Sequence, residues 1–175
     1  MARLAALSER VLVGPVVLLL PLYDPAILSK QLAELDRSRG GRIAVGIGVG
    51  GEYPLELTGC GVSLHDRGPR TDEAIDLMRA LWMDRRGNHE SRYWPALDAT
   101  VGPPPIRCGG PPIVVAGRKR PATCRAARRG DGGCPSGLSP EICRVGERHR
   151  LRGRQCGTGL GRVRMDVFRV CQGRR

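Results

Sequence analysis

Residues Gly41–Glu56 read GRIAVGIGVGGEYPLE. Ile43, Val45 and Ile47 alternate with small residues, which predicts a strand over Arg42–Val49. The run then dissolves into Gly48, Gly50 and Gly51 and meets an acid, Glu52. Strand ends of this composition are where α/β proteins build sites, because glycine lets backbone N–H groups come close to a ligand. Gly46, Gly48 and Gly51 also satisfy a bare G-x-G-x-x-G. A dinucleotide fingerprint needs a long helix after the third glycine. Pro54 follows at once, and Gly59 and Gly61 limit any helix to about one turn, so a Rossmann site is set aside.

Working outward, strands and helices alternate. Val11–Leu20 reads as a buried strand, and a helix from Pro25 to Leu35 carries Ile27, Leu28, Leu32 and Leu35 at helical spacing. Arg70–Trp82 predicts the clearest amphipathic helix, with Thr71 as N-cap and Ile75, Met78, Leu81 and Trp82 on one face. Asp84–Pro105 lacks period and reads as a long loop. Ile113–Ala116 follows as a strand and Ala122–Arg129 as a short helix ending at Gly130; Ala2–Glu9 is helix-compatible. Such alternation predicts a parallel sheet with crossover helices.

The apolar run Val11–Leu22 after Arg3 and Arg10 imitates a leader, but Gly14 and Pro15 interrupt it and twelve residues do not span a bilayer. The expectation is a cytoplasmic protein with reduced cysteines and no membrane partner. Charge divides the chain. Residues 1–116 hold 13 Lys+Arg against 13 Asp+Glu, whereas residues 117–175 hold 16 against 4, so the net +12 belongs to the last third. Five of the seven cysteines lie there without a C-x2–4-C pair, which argues against a zinc site. Phe168 is the only aromatic residue of 141–175, so a basic nucleic-acid arm would lack stacking platforms. Enrichment in Arg, Gly and Cys is also what a GC-rich gene read in a shifted frame yields, and 141–175 is expected to be such an irregular tail. His65, His89 and His149 suggest no catalytic role, and no Ser/His/Asp triad or metal constellation is present.

SRGGRIAVGIGVGGEYPLE, RGPRTDEAIDLMRALW and PPIVVAGRKRPATCRAARRGDGGCPSG, preceded by VLVGPVVLLLPLYDPAILSKQLAELD, together resemble the luciferase-like monooxygenase superfamily, above all its members that use the deazaflavin F420. The resemblance covers about residues 2–140. It implies an α/β fold of the (β/α)8 TIM-barrel type, and such barrels need roughly 250 residues. At 175 residues the chain is expected to hold a partial barrel over 1–140, with the N-terminal strands upstream of Met1 and the 141–175 tail behind it.

What the resemblance implies for chemistry is hydride transfer between F420 and a small organic substrate, with an FMN-dependent monooxygenase as the alternative and a non-catalytic basic nucleic-acid binder as the reading from another class. A homo-oligomer is compatible with it. A bulge with a non-proline cis peptide is implied around Val16 and Val17, behind the ring. Gly48, Gly50, Gly51 and Glu52 would line the ring's edge, Glu52 handling protons. Gly117 and Arg118 would hold the phosphate, although Ala116 replaces a family glycine and Lys119 and Arg120 crowd the turn. Asp131, Gly132 and Gly133 replace a family DGW and lose an apolar ring.

Overall fold

The computed structural model describes residues 11–83, 91–95, 100–134 and 144–145. Strand β1 (Leu18–Leu19) leads through a 3-10 turn to helix α1 (Pro25–Ser38), strand β2 (Val45–Gly48), the short helix α2 (Pro54–Gly59), helix α3 (Arg67–Trp82), strand β3 (Ile113–Ala116), helix α4 (Arg120–Arg129) and strands β4 (Gly132–Cys134) and β5 (Arg144–Val145). The sheet order is β1-β2-β3-β4-β5, parallel through β4, with β5 antiparallel at the edge. Consecutive parallel strands joined by helices give the α/β class that the alternation predicts, and they fit the partial barrel that the resemblance implies.

Local chemistry explains the elements. Asp24 caps α1, its carboxylate accepting from the N–H groups of Ala26 (2.8 Å) and Ile27 (3.0 Å), and Pro25 takes the first helical position, where no N–H is needed. Leu28, Leu32 and Ala33 of α1 and Ala74, Ile75, Met78 and Trp82 of α3 pack on Ile43, Val45, Ile47, Ile113 and Val115 as one core. Because strand side chains alternate, Gly46 and Gly48 turn to the opposite face, away from the helices.

Four expectations change. Val11–Leu20 is not one strand: Val13 bridges Ile43, and pairing resumes only at Leu18 with Ile47. Five residue steps on the first segment therefore face four on the second, which defines a bulge. Gly14 allows it, since a Cβ there would strike the Ala44 carbonyl oxygen. Thr71 is not an N-cap; α3 begins a turn earlier, after Asp66, and the buried Thr71 donates its hydroxyl proton to the Arg67 carbonyl (2.7 Å). Gly132–Cys134, read as a defect, is strand β4. Cys108 is disulfide-bonded rather than reduced, whereas Cys60 and Cys124 are free. The helix expected at Ala2–Glu9, His89, and nearly all of the 141–175 tail lie outside the described residues.

At the N-terminal end of the sheet Asp36 is fully buried, accepts from the Ile43 N–H at 3.4 Å and lies beside the buried Arg107. Burial pushes the Asp36 carboxyl above its ordinary value, and the Arg107 guanidinium opposes this only in part. For an acid raised on folding, the stabilisation is present below its unfolded value and is lost as pH rises through the folded one. Asp36→Asn removes that titration. The melting temperature of the native chain minus that of the variant is thus expected to fall as pH rises from 3.8 towards neutrality. A difference that grows with pH would mean that attraction to Arg107 outweighs burial.

Candidate cofactor site at the strand ends

Parallel strands present all their C-terminal ends on one side, and the topology brings three of these ends together. β2 pairs with β1 through Leu19 and Gly48, and with β3 through Ile47 and Val115. Gly50 and Gly51 thus follow β2 and Gly117 and Arg118 follow β3, while Val16 and Val17 lie just before β1, against Gly46 and Gly48 of β2.

The bulge carries a cis Val16–Val17 peptide, at the position implied by the resemblance. Both valines are exposed, at 58% and 40%. They stand over the glycine face of β2. A Cβ on Gly46 would come to 2.5 Å from the Pro15 carbonyl oxygen, and one on Gly48 to 3.1 Å from Val17 Cγ2. Glycine at both positions thus lets the bulge lie directly on β2, whose residues are all buried.

Beyond β2 the chain turns through Gly50 (φ 69°) and Gly51 (φ 114°), conformations that suit glycine alone. Glu52 is exposed at the exit and, among the described residues, makes no hydrogen bond or ion pair. Tyr53, Pro54, Leu55 and Glu56 then line a shallow, largely apolar groove. At the end of β3, Gly117 has φ 151° and packs against Ala122 of α4. Arg118, Lys119 and Arg120 follow, all exposed, at the start of a helix that has no side-chain cap. Positive charge is disfavoured at a helix N-terminus, and none of the three finds a carboxylate among the described residues. An anion would relieve that repulsion.

One residue was missed in sequence. The Arg67 guanidinium stands where a Gly51 side chain would be, its Cζ 2.8 Å from that Cβ position. The only sequence signal was its place in RGPRTDEA, and starting the helix at Arg70 left Arg67 in a loop. Among the described residues no group of three or more His, Cys, Asp or Glu is placed to hold a metal, and His65 is exposed on a loop.

A profile of luciferase-like monooxygenases matches residues 1–164. The chain belongs to this family. The match runs beyond Glu141, further than the resemblance legible in the residues. An F420-dependent glucose-6-phosphate dehydrogenase of Beutenbergia cavernae is 38% identical over 144 residues, covering 79% of this chain and 41% of that protein. The monooxygenase RslO1 from Streptomyces bottropensis superposes with a TM-score of 0.67 at 30% identity, covering 79% of this chain and 43% of the other. An F420-dependent secondary alcohol dehydrogenase, solved with an F420–acetone adduct, gives 0.68 at 24% identity over 90% of this chain and 48% of its own, a likeness of fold. The chain spans about two fifths of the length of the curated dehydrogenases it matches. Among the described residues no helix is long and apolar enough to cross a membrane.

Proposed function

We propose that the chain carries the cofactor-binding strand ends of an F420-dependent luciferase-like oxidoreductase, which transfers hydride between the deazaflavin C5 position and a small organic substrate. The observation that carries this is the pair of exposed valines, Val16 and Val17, seated on the glycine face of β2, with Arg118, Lys119 and Arg120 after Gly117 finding no carboxylate among the described residues. A flat apolar ring with a phosphorylated side chain has that division of chemistry. The similarity to F420-dependent dehydrogenases favours the deazaflavin; the similarity to RslO1 supports a flavin monooxygenase as the second reading.

F420 would supply the hydride acceptor or donor, and the chain would supply placement. Val16 and Val17 offer an apolar support that excludes water from one ring face. Gly48 gives Val17 its seat, and Gly50 and Gly51 make the positive-φ turn that would border the ring's edge, with the Arg67 guanidinium beside Gly51. Gly117 brings backbone N–H groups near the phosphate, and Arg118 offsets its charge. Glu52 is free to take the proton that a substrate hydroxyl releases when its carbon gives up hydride, and to return it in the reverse direction. A cytoplasmic location and a homo-oligomer belong to the same proposal.

Substitution at two strand ends tests the placement. Gly48→Val crowds Val17 and Gly117→Val strikes Ala122 at the turn after β3, and each is expected to weaken F420 binding by about tenfold, the loss of a contact worth about 1.4 kcal/mol. Fluorescence titration measures it, with circular dichroism as the check on folding. Unchanged affinity in both variants would remove the site from these strand ends.

A further inference from the structure

We propose that Arg67 is an oxyanion-binding residue of the strand-end site, taking a phosphate or carboxylate of the bound ligand; this rests on the cofactor reading above. Three features single it out. Arg67 is half-buried at the first position of α3, so its backbone is held by the helix and its carbonyl accepts from Thr71. Its guanidinium is pinned in the space that Gly51 vacates, at the exit of β2, with Nη2 3.3 Å from the Gly51 Cβ position. The neighbouring acids are engaged elsewhere: Asp66 accepts the Tyr93 hydroxyl at 2.6 Å, and Asp72 accepts Arg125 Nε at 2.6 Å. Glu52, one residue from Gly51, makes no ion pair with it.

A guanidinium with no partner among the described residues, held beside positive-φ backbone at the exit of β2, keeps its donors available to a ligand. Its planar fork matches an oxyanion in two hydrogen bonds, which a lysine ammonium does not reproduce. The oxyanion could sit on the cofactor's side chain or on the substrate. Either source needs the same charge.

Three probes separate these sources in the full 175-residue chain: F420, its deazaflavin riboside core without phosphate, and inorganic phosphate. Native chain, Arg67→Gln and Arg67→Lys are titrated with each, by fluorescence or calorimetry. If the oxyanion is the cofactor's, Arg67→Gln weakens F420 by about 10- to 100-fold and leaves the phosphate-free core unchanged. If it is the substrate's, both deazaflavins bind as before and inorganic phosphate weakens by a similar factor. Arg67→Lys, which keeps charge but loses the fork, falls between native and Gln at an unchanged melting temperature. Equal binding of all three probes by native and Gln chains overturns the proposal, as does equal weakening of F420 and its phosphate-free core. Arg67-dependent phosphate binding with no binding of either deazaflavin would instead overturn the cofactor reading and leave the anion assignment standing.

Discussion

Replacing Asp131 by alanine is expected to cost about 3–5 kcal/mol of stability, a large share of what a domain this size has to lose. The carboxylate is 5% exposed, pairs with Arg79 of α3, and accepts the Ile113 N–H at 2.9 Å, while the Asp131 N–H donates to the Ile113 carbonyl at 2.8 Å. Arg79 in turn donates to the Gly109 carbonyl at 2.8 Å, so one buried pair joins α3, β3 and the loop before it. Removing the acid leaves a buried guanidinium and a buried N–H unsatisfied. Urea unfolding measures the loss. The companion experiment removes both charges: Arg79→Met with Asp131→Leu is expected to unfold later in urea than Asp131→Ala alone, because no orphaned charge remains. If Asp131→Ala costs less than about 1 kcal/mol, water reaches the pair and it behaves as a surface bridge.

Gly46→Val is expected to damage the site more completely than any substitution at its rim. A Cβ at position 46 would lie 2.5 Å from the Pro15 carbonyl oxygen and 3.4 Å from Val16 Cα. The first obstacle is backbone, and the same oxygen accepts the Gly46 N–H at 3.0 Å, so relief requires that bond to break. Overpacking of this kind costs about 1–3 kcal/mol, and the segment that moves is the bulge bearing Val16 and Val17. Thermal unfolding should show the destabilisation, and F420 titration should show no saturable binding. Retention of native affinity would mean that the bulge does not contribute to the cofactor surface.

Sequence reading succeeded where side-chain period and backbone agree. Ile113–Ala116 is strand β3 to the residue, and Ile75, Met78, Leu81 and Trp82 are all buried as the helical spacing requires. It failed where backbone geometry departs from period. Val11–Leu20 has no side-chain period, and its Gly14 and Pro15 mark an interruption without giving its geometry; the family resemblance, not the periodicity, pointed to the bulge. Gly132–Gly133 carries no side chains from which to read a strand, yet main-chain pairing with Val114 and Val115 makes it one. Asp131 looked like the remnant of a broken motif, and only its contact with Arg79, 52 residues away, explains it. Long-range charge pairing of that sort, like the placement of the Arg67 guanidinium beside Gly51, has no local signature.

The most direct test is titration of F420 fluorescence with the purified chain, with FMN as competitor. If the ends of β1, β2 and β3 form the deazaflavin site, the signal should change saturably with one F420 per chain, and FMN should displace it only at concentrations at least about tenfold higher, a preference of about 1.4 kcal/mol. Saturable binding of FMN with no response to F420 would transfer the site to the flavin monooxygenase reading, and no response to either would contradict a cofactor site at these strand ends.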